Sequence, residues 1–202
     1  MADYKKPDFW QLKARKENYP ARSVYKLQEM DDKFGLFKHR PLRVLDLGAA
    51  PGSWSLYVMR KMHDKVFLVS VDLSPLSRQC DNGLFDAENF VFIQGNITDS
   101  SIRDSILAHG PYDLIISDAA PATMGNRFID TSRSLELAEA VSAYAESALN
   151  TGGNLLIKVF QGGDVSELLK RLRAIFNNAK SYKPQACRSE SFETYYLGLG
   201  KK

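Results

Sequence analysis

The chain has 202 residues, 44% of them hydrophobic and 25% charged, with a formal net charge of +3 at pH 7. That is the length of one domain with a proper core, and no apolar run reaches the roughly 18–20 residues of a membrane span. Met1 to Trp10 is polar and charged, unlike a secretory signal, and Cys80 and Cys187 stand isolated, without metal-ligand spacing or a disulfide framework. A reduced, cytoplasmic, single-domain protein without a metal site is therefore expected. The charge is uneven: residues 1–43 hold eleven Lys and Arg against six Asp and Glu, on a near-neutral remainder. Such a basic segment either meets a polyanion or solvates a helical face.

Residues 1–8 read as a loose tail. Phe9 to Lys16 is helix-compatible and carries Lys13, Arg15 and Lys16. Pro20 suits the first turn of a second helix, in which Val24, Leu27 and Met30 trace one face and Arg22 and Lys26, four apart, are neighbours on one side. Gly35 ends that helix, and Lys38-His39-Arg40-Pro41 is a linker whose histidine is expected in solvent.

Leu42 to Leu47 reads as a buried parallel strand, Gly48 to Gly52 as a sharp turn, and Ser53 onward as a packed helix. Strand, glycine turn and helix open a doubly wound nucleotide-binding sheet. The spacing is not Gly-x-Gly-x-x-Gly, and Pro51 removes a backbone donor that a pyrophosphate cradle would use. The turn thus suits a phosphate-free ligand, and S-adenosylmethionine fits it better than NAD. A plain strand-to-helix turn is the bland alternative.

Val66 to Val71 is a second strand ending at Asp72, an acid placed to accept ribose hydroxyls or, alternatively, to cap a helix beginning at Leu73-Ser74-Pro75. His63, before that strand, is expected in solvent. Asn89 to Gln94 is a third strand, after which Asn96 occupies the loop where an adenine edge would lie and Asp99 caps a helix that finishes near His109. A fourth strand, Tyr112 to Ser117, delivers Asp118 to its carboxyl end, beside small Ala119 and Ala120. Residues 122–130 read as a flexible lid loop, with a long helix from Thr131 and a Gly152-Gly153 turn into a fifth strand, Asn154 to Phe160.

Lys158 interrupts that apolar strand. A buried ammonium needs a partner or a depressed pKa, unless it snorkels to water from the strand's end. Val165 to Phe176 reads as an amphipathic helix, Ala179 to Lys183 as a strand, and Glu193 to Leu199 as a final strand. The expected fold is α/β: a doubly wound seven-stranded sheet, mostly parallel with one antiparallel strand, in a Rossmann-like arrangement.

With these residues in place, the chain resembles the FtsJ-type ribose 2′-O-methyltransferases from about residue 9 to 200. The resemblance is carried by Ala-Arg-Ser-Val-Tyr-Lys-Leu (21–27), Asp-Leu-Gly-Ala-Ala-Pro-Gly-Ser-Trp (46–54), Val-Asp-Leu (71–73) and Ser-Asp-Ala-Ala-Pro (117–121). Leu-Ile-Lys-Val-Phe-Gln-Gly (156–162) and Arg-Ser-Glu-Ser-Phe-Glu-Thr-Tyr (188–195) complete it. It implies a Lys-Asp-Lys-Glu tetrad at Lys26, Asp118, Lys158 and Glu193, with Glu190 a competitor for the last place. It implies S-adenosylmethionine as cofactor, with Gly52, Trp54 and Asp72 at family positions. Gly48, Ser53, Leu73, Asn96, Ile97 and Asp118 complete the cofactor set. Where this family commonly has an aspartate for the adenine amino group, the chain has Asn96, whose amide accepts that bond without charge assistance.

The implied reaction is methyl transfer to RNA, on a uridine of large-subunit (23S-type) ribosomal RNA, by a monomer. A tRNA anticodon-loop enzyme and a non-catalytic RNA-binding module are the alternatives. A ribose hydroxyl needs a base, and a lysine serves only with a lowered pKa, which a second lysine favours and carboxylates oppose. Lys158 is the expected base, oriented by Asp118, with Lys26 and Glu193 tuning the field. Phosphates are expected on Lys13, Arg15, Lys16 and Arg22, with Lys170, Arg171 and Arg173 as further candidates.

Overall fold

The computed structural model describes residues 7–37, 42–162, 165–188 and 190–202. The start of the expected tail and the linker that contains His39 lie outside these residues. Strands β1 (Leu42–Leu47), β2 (Val66–Asp72), β3 (Phe90–Gln94), β4 (Tyr112–Ser117), β5 (Leu149–Phe160), β6 (Phe176–Tyr182) and β7 (Glu193–Lys201) form one sheet. Their order is β3-β2-β1-β4-β5-β7-β6. Pairing is parallel from β3 through β5, and β7 runs antiparallel to both β5 and β6. The strand order reverses between β1 and β4, so a crevice opens at their carboxyl ends.

Alternation along each strand divides the core into two layers. Val44, Leu68, Ile116 and Leu156 face α1 (Phe9–Lys16), α2 (Val24–Phe34) and α3 (Ser53–Met62). Leu45, Leu47, Val69 and Ile115 face α4 (Ser100–Ala108), α5 (Arg127–Ala148) and α6 (Val165–Ile175). The α1–α3 layer meets Lys158 and Tyr195, which pair across β5 and β7. Both lie on the side of the sheet from which α2 presents Lys26.

Several elements begin elsewhere than their local patterns indicate. Pro20 lies in a bend ahead of α2; the amide of Ala21 donates to Ser53 Oγ at 2.8 Å, tying this segment to the start of α3. No helix follows directly on Asp72: its carboxylate accepts the amides of Ala50 and Ser74, and the chain bends at Leu73 and Ser74. Asp99 does precede α4, but its side chain makes no cap bond. Helix α5 starts at Arg127, four residues before the expected Thr131, because Asn126 Oδ1 accepts the amides of Phe128 and Ile129. β5 starts at Leu149, with a register shift opposite Tyr112 to Leu114 that accommodates the Gly152 turn. Phe176 leaves α6 directly for β6. His63 is exposed and His109 caps α4.

Candidate active site

The β1–α3 turn has no free donors for a phosphate. Gly48 and Ala49 donate to Val71 O, Ala50 donates to Asp72 Oδ2, Pro51 has no N–H, and Gly52 donates to Ala49 O. All the amides between Gly48 and Gly52 are consumed internally, so the turn cannot act as an anion nest. Gly48 has φ +78°, and a Cβ there would stand 2.5 Å from Ala119 Cα. The turns after β1 and β4 therefore touch only because residue 48 lacks a side chain.

Between these turns lies a cavity of about 370 Å³ lined by Gly48, Asp72, Leu73, Asn96, Ile97 and Asp118 among others. That volume suits a small-molecule cofactor, for which roughly 300–1,000 Å³ is usual. Its charged lining is Asp72, Asp118 and Lys158, an acidic balance suited to a cationic guest. Asp72 accepts from Ala50 and Ser74 and keeps lone pairs for further donors. Asn96 Oδ1 accepts the Thr98 amide at 3.1 Å, and Ile97 O accepts the Tyr144 hydroxyl at 2.7 Å, which fixes this loop. Leu73 is 68% exposed at the rim.

Gly52, Ser53 and Trp54 do not line this cavity; they hold its wall. A Cβ at Gly52 would meet the Phe85 ring at 3.1 Å. Ser53 Oγ accepts Ala21 N, and Trp54 Nε1 donates to Ser23 O at 2.9 Å.

Four charged residues from four elements converge at the cavity's inner end. Lys158 Nζ lies 3.0 Å from Asp118 Oδ1 and donates to Asp118 O at 2.5 Å. Lys26 Nζ lies 2.7 Å from Glu193 Oε1, and the Tyr195 hydroxyl donates to Asp118 Oδ1 at 2.6 Å. Lys26 also stands over the Tyr195 ring, 6.0 Å from its centroid. Both lysines are 8% exposed.

Burial would raise the Asp118 carboxyl, but Lys158, Lys26 and the Tyr195 hydroxyl outweigh it and hold its pKa below the usual range. Burial would likewise lower the Lys26 ammonium, yet Asp118 and Glu193 raise it instead. Tyr195 is pushed well above the ordinary phenol value by burial and then by Asp118, so it remains a neutral donor. Lys26 is thus held as a cation. Glu193 forms an ion pair with Lys26.

A second cavity of about 500 Å³ adjoins the first and shares Ser23 with it. Its charged lining is Arg22, Lys26 and Arg188 against Glu190 and Glu193, a basic balance, and Phe192 lies among them. Asp118 and Lys158 line the first cavity and Lys26 and Glu193 the second, so the charged cluster is the partition between them. Of the expected phosphate contacts, Arg22 is half-buried, bonded to Asp8 and to Ala186 O. Burial, then Arg188, lower its pKa. Arg15 and Lys16 are exposed, whereas Lys13 lies over the Tyr25 ring at 4.4 Å and 3.9 Å from Glu17. Lys170 and Arg171, on α6, pair with Glu167 of the same helix and Glu139 of α5, and α6 packs on the opposite face of the sheet from α1. Among the described residues no single basic stripe joins α6 to α1.

Local sequence reading did not single out Ser23, Tyr195 or Asp46. Tyr195 was available from alternation, since it follows Glu193 by two on β7 and shares its face. Asp46 stands fully buried in β1; its Oδ2 accepts Ser55 Oγ at 2.7 Å and its Oδ1 has no hydrogen-bond partner. Burial pushes its carboxyl up to about 7; Ser55 opposes the shift, and Asp118 and Asp72 add to it.

Comparison with known proteins agrees with this geometry. A ribosomal RNA large subunit methyltransferase E of Treponema denticola is 50% identical over 98% of this chain and 97% of its own. One of the same name from Borreliella afzelii is 44% identical over 95% and 96%. Among solved structures, one described as a ribosomal RNA methyltransferase of Plasmodium falciparum superposes with a TM-score of 0.75 at 27% identity, over 91% of this chain and 98% of that one. Aeropyrum pernix fibrillarin, at 16% identity and a TM-score of 0.58, covering 88% and 76%, shares the fold. The family model for FtsJ-like methyltransferases matches residues 19–201, and the chain belongs to that family.

Proposed function

We propose that this chain transfers a methyl group from S-adenosylmethionine to a ribose 2′-oxygen of large-subunit ribosomal RNA, at a uridine. The observation that carries this reading is the partition itself: Lys26–Glu193 on the side of the basic cavity, Asp118–Lys158 on the side of the acidic one. Asp72, Leu73, Asn96, Ile97 and Asp118 would hold the cofactor, and the saturated β1–α3 turn suits a ligand without phosphates. When bound, S-adenosylmethionine supplies a methyl group on a sulfonium centre whose departure needs no acid.

The protein's work is therefore alignment and removal of one proton. Lys158 accepts the 2′-hydroxyl proton, and Asp118, held by Tyr195, fixes the Lys158 amine. Lys26 stays cationic and stabilises the developing oxyanion, with Glu193 locking its position. The names of the close relatives support large-subunit RNA as the substrate.

Purified protein with labelled S-adenosylmethionine, offered large ribosomal subunits and tRNA in parallel, tests this. Label is expected in subunit RNA with the wild type and not with Lys158→Ala. Full transfer by Lys158→Ala would remove Lys158 as the base, and label confined to tRNA would replace the substrate.

A further inference from the structure

The loop before α5 and the first turn of that helix hold two large apolar side chains out in solvent. Phe128 is 82% exposed and Met124 63%. Their backbone is nevertheless fixed. Asn126 Oδ1 accepts the Phe128 amide at 3.1 Å, and Asp130 Oδ1 accepts the Met124 amide at 2.8 Å. Two arginines flank them: Arg127 lies 5.6 Å over the Phe192 ring, and Arg133 Nη1 is 3.1 Å from Met124 Sδ. Thr123, from the loop that holds Met124, and Phe192, from the β6–β7 connection, line the basic cavity. The segment that carries the exposed ring therefore borders the cavity read above as the RNA side.

An exposed ring on a fixed backbone, with Arg127 and Arg133 close by in the chain, has the composition of a base-stacking platform: the ring takes a π-face and the cations take the flanking phosphates. We infer that Phe128, together with Met124, stacks a nucleobase flanking the target ribose, with Arg127 and Arg133 on the phosphates of that strand. The inference rests on the RNA 2′-O-methylation reading and adds a substrate property to it. The neighbouring nucleotide must be unstacked from its own helix, because a base inside a duplex has no free face.

Steady-state methyl transfer to large ribosomal subunits, with the subunit concentration varied, tests it. If the wild type transfers no label to the subunits, the parent reading fails. If it does, Phe128→Ala is expected to raise KM for the subunits about ten-fold, as loss of one stacked base would, with cofactor affinity unchanged. Phe128→Trp is expected to keep the wild-type KM. Phe128→Leu retains apolar bulk without a ring and is expected to behave like Phe128→Ala. A KM for Phe128→Ala within about two-fold of the wild type would overturn the platform. Wild-type KM in Phe128→Leu would overturn the nucleobase and assign the contact to a protein surface.

Discussion

The two cavities that share Ser23 are built in opposite ways. The acidic one is lined by short turns at the carboxyl ends of parallel strands, by small residues such as Gly48, Ala119 and Ala120, and by polar groups already bonded within the turns. The basic one is lined by long charged side chains from three segments far apart in the chain, around Arg22, Thr123 and Arg188. The first is a property of the sheet's topology, preorganised before any ligand arrives. The second exists only because the N-terminal segment and the β6–β7 connection pack together, Arg22 reaching Asp8 and Ala186 at once. Substitutions on the two sides should therefore separate cleanly in what they damage.

The largest effect is expected at the partition. Lys158→Ala should lower kcat by about 10²–10⁴-fold, the usual worth of a positioned base, while calorimetry finds the cofactor bound as in the wild type. A loss of cofactor binding that matched the loss of turnover would make Lys158 a binding residue and blur the division.

Asp46, behind the acidic cavity, should reveal itself through stability. Its carboxyl sits at about 7 in the folded chain. Between about pH 4 and that value the unfolded chain has released a proton that the folded chain keeps, so stability falls as pH rises. Asp46→Asn removes this slope. Relative to the parent it should gain on the order of 1–3 kcal/mol between about pH 5 and pH 8 in urea melts. An equal difference at both pH values would contradict it.

Asp72→Ala should weaken cofactor binding about 10–100-fold, the worth of hydrogen bonds to a charged group, without changing RNA affinity. Equal damage to both would show that the loop after β2 serves both cavities. The smallest effect belongs to the outer basic surface. Neutralising Lys13, Arg15 and Lys16 together should flatten the plot of log affinity for RNA against log salt by about 2 units at most. An unchanged slope would place the phosphates elsewhere.

This asymmetry also governs what could be read from the sequence. The β1–α3 turn was legible because strand, turn and helix are contiguous, and the missing Pro51 donor already argued against phosphate. Lys158 was legible as a lysine within an apolar strand. Its partner was not, because the contact with Asp118 spans 40 residues and only the family resemblance joined them. For the last place of the tetrad β7 supplies the physical reason for Glu193: Tyr195, two residues on, pairs with Lys158, and Glu193 shares its face. The alternative reading of Asp72 as a helix cap is not met: its carboxylate keeps the local bond to Ser74 and adds one to Ala50, in the turn after β1, and no helix follows directly. The N-terminus of α5 was misread for the opposite reason: Asn126 is a strong cap inside a stretch that otherwise resembles a loop. Trp54 fits a family cofactor position, and its bond to Ser23 O comes from a segment 31 residues away.

The central claim is that the methyl group reaches a ribose oxygen and not a base. After labelled transfer to large ribosomal subunits, alkaline hydrolysis of the RNA decides this directly, because a 2′-O-methyl group blocks cleavage of its own phosphodiester. The label is predicted in an alkali-resistant dinucleotide; label released in mononucleotides would mean a methylated base and would contradict the roles given to Lys26, Asp118, Lys158 and Glu193.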